Sequence, residues 1–153
     1  NYSYIYMNII KYNITLFIVM FLVALCFNGM NALSYSLSHL YLSYTLIYSS
    51  LFMASNMIWA HELVHYLVHS YMNYNVFFSG ILLSLFFFYI LRLQPFVNEE
   101  QWMKRMIPHH STAITTTSKI LNKNPNENTK RLAETILKVQ EEEINYMKYI
   151  IDP

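Results

Sequence analysis

Charged residues are almost absent from the first three-fifths of this 153-residue chain. Before Arg92 the only charged side chains are Lys11 and Glu62, although the whole chain contains 10 Lys and Arg and 9 Asp and Glu. Such a segment has too few charges for a normal solvated surface, so it predicts helices embedded in a membrane. The charge density rises after Arg92. We therefore predict a membrane domain at residues 1–94 and an extramembrane domain at residues 95–153, with Pro95 at the boundary.

Three apolar runs predict three transmembrane helices, at about residues 9–27, 41–60 and 76–91. The second run is the most polar, and we expect its Ser, Thr and Asn side chains to face neighbouring helices. The first run is followed by Asn28-Gly29-Met30-Asn31 instead of a small-residue cleavage site, so it is interpreted as a retained helix. An integral membrane protein is expected. The side of the C-terminal domain stays open because the loops between the runs contain no Lys or Arg.

Two helix-start signals follow in the charged part. Asn98 and Gln101 have the spacing of a capping box and predict a helix over about residues 98–122. The sequence Asn124-Pro125-Asn126-Glu127 repeats the signal and predicts a second helix over about residues 125–151. The short turn between them predicts an antiparallel hairpin. Helical spacing places two sets of residues on the facing sides: Trp102, Met103, Met106, His110, Ala113, Thr117, Ile120 and Leu121, and Leu132, Ala133, Ile136, Gln140, Glu143, Ile144, Met147 and Ile151.

The segment Met106-Ile107-Pro108-His109-His110 is the richest in chemical groups. Thioethers and imidazoles are ligands for soft or borderline metals, and this pattern favours Cu(I) over Zn(II). The structural alternative uses the same residues. His110 would then be hydrogen-bonded to Glu143 inside the hairpin, and His109 would cap the Lys104 carbonyl that Pro108 cannot pair.

The same segment, together with Ala113-Ile114, Gln140, Glu143-Ile144 and Met147, resembles the domain-of-unknown-function family 305, a ferritin-like helical group. The resemblance covers about residues 98–151, and the upstream runs look like the membrane-anchored branch of that family. Some members bind copper, so the resemblance implies a copper site at Met106, His109, His110 and Met147, with Glu143 as a further candidate. Longer members have two hairpins that form a four-helix bundle. The half missing here is expected from a second copy, another subunit or the membrane helices.

A second histidine motif, His61-Glu62-Leu63-Val64-His65, matches the metalloprotease pattern of two histidines and a general base. A protease is disfavoured because a membrane-embedded site would need a further ligand from another helix, and Asp152 is the only aspartate. His69 continues the same face, so an interfacial transition-metal site at His61, His65 and His69 is the better functional alternative. The remaining alternative places these histidines at the level of the lipid headgroups without a metal.

Several function classes are not expected. A net charge of +1 without a basic cluster gives no footprint for nucleic acid. Gly29 and Gly80 are the only glycines, which excludes a glycine-rich phosphate loop, and no nucleophile motif is present. We therefore predict an all-α, non-enzymatic protein in contact with membrane lipids. It is either a membrane-anchored copper-binding protein or an accessory subunit of a larger membrane assembly.

Overall fold

The computed structural model describes residues 2–152, and the side chains from Met7 to Asp152. Within this range the chain is all-α, as predicted, and contains no strand. Five long helices and two short helical elements follow one another: α1 (Tyr2–Cys26), α2 (Gly29–Ala32), a 3-10 turn (Leu37–His39), α3 (Tyr44–His69), α4 (Tyr74–Leu93), α5 (Glu99–Leu121) and α6 (Glu127–Ile151).

The chain divides into two compact units. The first, here called the apolar unit, combines α1 with Leu46–Pro95 and so includes most of α3 and all of α4. The second, here called the hairpin unit, combines Phe27–Thr45 with the chain from Phe96 onward. The division at Pro95 lies where the charge pattern changes. The residues between α1 and α3 belong with the hairpin, whereas the sequence analysis placed them in the membrane domain.

Two segments of the described chain, Met7–Ala32 and Tyr74–Leu93, are long and apolar enough to cross a membrane. The prediction of three such segments is therefore wrong for the middle one. Helix α3 extends to His69 and contains Glu62 and three histidines in addition to its Ser, Thr and Asn residues. These side chains make transfer into hydrocarbon costly, so length alone does not qualify α3 as a span.

Small residues allow α3 and α4 to approach closely in the apolar unit. A Cβ atom added at Gly80 would lie only 2.8 Å from the backbone nitrogen of Trp59. Ser50 and Ser55 of α3 are fully buried, as expected for inward-facing polar residues. Their hydroxyls, however, donate to carbonyls of their own helix, to Leu46 and Phe52, both at 2.8 Å. The hydroxyls of Ser50 and Ser55 are thus satisfied within α3 and not by a neighbouring helix.

In the hairpin unit α5 and α6 pack against each other around a core of buried Met and Ile residues, namely Met103, Ile107, Ile114, Ile144 and Met147. Full burial of each such side chain stabilises the fold by about 1.5–3 kcal/mol. The buried face of α5 is rotated from the predicted one. Ile107, Ser111 and Ile114 are buried, whereas Trp102 and Ile120 are exposed. On α6, Leu132 and Glu143 are exposed although the helical pattern placed them on the inner face.

Both helix starts use asparagine caps, but only one lies where predicted. Asn98 accepts the amide of Gln101 at 2.9 Å. The Gln101 side chain does not complete a capping box, because it accepts the amide of Tyr44 at 3.0 Å. Helix α6 begins two residues later than predicted. Asn126 is its N-cap and accepts the Thr129 amide, while Asn124 has a left-handed backbone with φ of 51°.

Candidate functional site

The two adjacent histidines of α5 have opposite environments. The helix continues through Pro108, and the residues on either side remain helical. His110 is buried against α6, whereas His109 is exposed. One step along a helix turns the side chain by 100°, so neighbouring residues cannot share a face. The two imidazoles therefore lie in different environments and can have different roles.

Both ring nitrogens of His110 are engaged. Nδ1 lies 2.7 Å from the carbonyl oxygen of Met106, and Nε2 lies 2.8 Å from Oε2 of Glu143. Both partners are hydrogen-bond acceptors, so each ring nitrogen is occupied by a contact with an oxygen atom. In this arrangement neither nitrogen offers a lone pair to a metal. The contact with Glu143 is the one that the structural alternative predicts.

The His109 ring has no hydrogen-bond partner among residues 7–152, so the predicted capping of the Lys104 carbonyl is not seen. Its ring centre lies 5.8 Å from that of His110. Met106 is half-buried and packs against the core, and Met147 lies inside that core. Thus Met106 and Met147 share one apolar cluster, to which the exposed His109 does not belong. In residues 7–152 no group of three or more His, Cys, Asp or Glu side chains is arranged to hold a metal ion.

The hairpin also has an exposed apolar surface that we call the open face. On α6, Leu132 and Tyr146 are 61% and 67% exposed, and Val139 lies midway between them. On α5, Trp102 and Ile120 are exposed on the corresponding side. At its turn end the open face contains a groove of about 210 Å³ lined by Thr116, Thr117, Ile120, Thr129, Leu132, Ala133 and Ile136.

The segment Phe27–Thr45 covers a different side of the hairpin and is anchored by Ser111. The Ser111 hydroxyl is completely buried and accepts the amide of Tyr35 at 2.8 Å. It also lies 3.1 Å from the hydroxyl of Ser34 and 3.0 Å from Nδ1 of His39. The sequence analysis missed this cluster. Its only sequence signal is a serine on the buried side of an amphipathic helix, which does not identify the partner.

The second predicted site lies in the apolar unit, along one face of α3. Successive ring centres are 6.4 Å apart for His61 and His65 and 4.8 Å apart for His65 and His69. His61 Nε2 lies 3.1 Å from the hydroxyl of Tyr12, and its buried Nδ1 has no partner among the described residues. His65 Nδ1 lies 2.9 Å from the carbonyl oxygen of Tyr71. His61 and His65 thus contact different partners, a tyrosine hydroxyl and a backbone carbonyl.

Comparison with known proteins places only the C-terminal part of the chain in a family. Residues 92–151 match the family model described as Domain of unknown function (DUF305). The chain is also similar to Uncharacterized protein L153 of Acanthamoeba polyphaga mimivirus, with 42% identity over 64 residues. That similarity covers 42% of this chain and 42% of the viral protein, so the chain spans less than half the length of this relative. No solved structure matches the chain significantly. The resemblance seen in the Met-Ile-Pro-His-His segment is confirmed, and residues 92–151 form a domain of the DUF305 family.

Proposed function

We propose that this protein is a membrane-anchored, non-catalytic accessory module whose hairpin unit docks through the open face onto another helical hairpin. The partner hairpin belongs to a second copy of the chain or to another subunit of a membrane assembly. The open face is the observation that carries this proposal, because it exposes apolar side chains along both helices of the hairpin.

The two apolar segments support the anchoring role. None of the most apolar window of Met7–Ala32 is buried inside the protein, and only 11% of that of Tyr74–Leu93 is buried. A core helix of a soluble protein would bury most of such a window. Lipid tails are the environment in which these surfaces are stable, so membrane lipids are the proposed partners of the apolar unit.

The spacing of the open face supports docking by a helix. Leu132, Val139 and Tyr146 are seven residues apart, so they form an apolar stripe along one side of α6. Exposed apolar stripes of this kind usually pack against another helix. Another side of the hairpin is already covered, since Phe27–Thr45 packs with the hairpin and contacts α5. The open face is where a further hairpin would complete a bundle.

The test uses Val139→Arg, which places a charge in the centre of the open face. Asn145→Arg adds the same charge to an exposed position on the other side of α6 and serves as the control. We expect light scattering of the detergent-purified chain to give a dimer mass for the wild type and for Asn145→Arg, and a monomer for Val139→Arg. A monomeric wild type would instead mean that the partner is another subunit. In that case crosslinking in native membranes should give a complex with the wild type, and Val139→Arg should abolish this complex. Equal masses and equal crosslinking for all three chains would refute docking.

Copper binding is a second candidate, and one specific observation favours it. His109 is exposed with an unpaired ring, and Met106 is half-buried one helical turn earlier. An imidazole and a thioether at this spacing suit Cu(I). His110 would contribute only if it released Glu143, and Met147 only if the core opened. We therefore propose His109 and Met106 as the first ligands, with His110, Met147 and Glu143 as secondary candidates.

Copper binding is tested by competition with a chromogenic Cu(I) chelator under reducing conditions. His109→Ala is expected to lose the bound copper, while His39→Ala, which changes a histidine outside the cluster, is expected to retain it. Loss in His110→Ala but not in His109→Ala would reverse the order of ligands proposed above. Absence of copper from the wild-type chain after loading would reject this candidate.

A further inference from the structure

The C-terminal end of α3 carries an imidazole pair that lies outside the DUF305 domain. His65 and His69 are one turn apart, and their ring centres are 4.8 Å apart with an interplanar angle of 50°. His69 is exposed, and His65 is half-buried. The proposed docking function uses neither residue.

The chain after α3 folds back and orients the first of these rings. Ser70 adopts a left-handed backbone with φ of 55° and ends the helix. This turn brings the carbonyl oxygen of Tyr71 to 2.9 Å from His65 Nδ1. A carbonyl only accepts hydrogen bonds, so Nδ1 is the donor in this contact and Nε2 is the nitrogen left to face a ligand. A backbone carbonyl on the distal nitrogen is the usual way in which a metal-binding histidine is oriented.

The separation of the two rings suits one shared metal ion. With a metal–nitrogen distance of about 2.0 Å and about 1.1 Å from nitrogen to ring centre, two imidazoles at a tetrahedral angle have centres about 5 Å apart. The observed distance between His65 and His69 is close to this value, whereas His61 and His65 are 6.4 Å apart. Moreover, Nε2 of His61 is already in contact with the Tyr12 hydroxyl.

The local electrostatics favour a cation at this position. The last turns of a helix expose unpaired carbonyl groups and carry the negative end of the helix dipole. Glu62 lies on the same side of α3, is only 7% exposed, and accepts the Asn73 amide at 3.0 Å. No Lys or Arg forms an ion pair with Glu62 among the residues whose side chains are described. A divalent cation nearby would offset this buried negative charge.

We propose that the end of α3 binds one divalent transition-metal ion through His65 Nε2 and the His69 ring, with water molecules as the remaining ligands. The metal belongs to the class that prefers imidazole nitrogen, such as Zn²⁺ or Co²⁺. Glu62 supplies charge compensation, and its Oε2 is held by the Asn73 amide. The geometry thus selects His65 and His69, and not the His61 and His65 pair of the protease-like motif.

The experiment titrates Zn²⁺ into the untagged full-length chain in detergent by isothermal titration calorimetry. The variants are His65→Ala and His69→Ala, with His61→Ala as the control on the same face and His39→Ala as the control in the hairpin. We expect one Zn²⁺ per wild-type chain and at least about tenfold weaker binding in His65→Ala and His69→Ala. The two controls should bind like the wild type. Zn²⁺ should also raise the melting temperature of the wild type but not that of His69→Ala.

Unchanged Zn²⁺ binding in His65→Ala and His69→Ala would overturn the proposal, as would loss of binding in His61→Ala or absence of binding by the wild type. His65→Ala also removes the hydrogen bond to Tyr71, so circular dichroism must show that this variant is folded. If it is not, His69→Ala decides the outcome, because its exposed side chain can be removed without loss of packing. Loss of binding only in His39→Ala would overturn the proposal and move the site to the hairpin.

Discussion

His110 Nε2 lies 2.8 Å from Oε2 of Glu143 and joins α5 to α6 across the hairpin. Because the other ring nitrogen donates to the Met106 carbonyl, this side chain links its own helix to the facing helix. The contact accounts for a histidine at this buried position. It also shows which of the two neighbouring histidines contributes to stability.

Replacing His110 by Ala is expected to destabilise the folded chain. The change leaves the Met106 carbonyl and Glu143 without their partner and creates a cavity, and the loss of such a hydrogen bond costs about 1–3 kcal/mol. About half of the Glu143 side chain is exposed, so solvent screening keeps the charge contribution small and Glu143→Gln should cost less. Denaturant unfolding of the full chain in detergent measures both. His109→Ala is the control, with an expected change within about 0.5 kcal/mol. Equal effects for the two histidines would contradict the structural role of His110.

Ser111→Ala should loosen the segment between α1 and α3. The variant removes the acceptor of the Tyr35 amide, and an unpaired amide at this position costs about 1–3 kcal/mol. Hydrogen exchange of the amides at residues 28–40 should become faster. Ser118→Ala is the matched control, because the Ser118 hydroxyl donates only to the Ile114 carbonyl of its own helix. If exchange in residues 28–40 is the same in both variants, Ser111 is not the anchor of this segment.

Acidification should weaken the hairpin unit through His39. Burial, with a smaller contribution from the Lys148 charge, lowers the pKa of His39 below its usual value of 6.5. The unfolded chain therefore binds this proton more readily than the folded chain, so the free energy of unfolding decreases as the pH falls below about 6.5. Unfolding of the wild type and of His39→Asn at about pH 7.5 and about pH 5.5 measures the effect, which should be smaller in the variant. Identical pH dependence in the two chains would exclude His39 as its source.

Gly80→Ala should force α3 and α4 apart. The added Cβ atom would lie 2.8 Å from the backbone nitrogen of Trp59, and a backbone atom cannot move aside as a side chain can. Overpacking of this kind costs about 1–3 kcal/mol, in spite of the higher helix propensity of Ala. Thermal unfolding in detergent gives the change in stability. Gly29→Ala, where no atom lies within 4 Å of the added Cβ, should leave the melting temperature nearly unchanged. A Gly80→Ala variant as stable as Gly29→Ala would show that the approach of α3 to α4 is not tight.

Local sequence signals were sufficient to predict that the long helices exist. The uncharged run before Arg92 predicts apolar helices because charges are costly in hydrocarbon, and the cap at Asn98 predicts the start of α5 because a short polar side chain pairs a free amide. The Met-Ile-Pro-His-His segment predicted the family of residues 92–151. Each of these properties depends on neighbouring residues, so no knowledge of the tertiary structure is needed.

Tertiary packing decided which side of α5 is buried and which contacts its side chains make. Helical periodicity gives the angular position of every residue around the axis of α5. The burial of Ile107 and Ser111, however, depends on which segments of the chain cover each side of the helix. Here Phe27–Thr45, a segment with no helical periodicity, covers Ser111. In the same way, the sequence placed His110 near Glu143 but left metal binding and hydrogen bonding open for it. Only the tertiary structure shows the Met106 carbonyl and the Glu143 carboxylate at the two ring nitrogens, because a contact is defined by distance in space and not by separation along the chain.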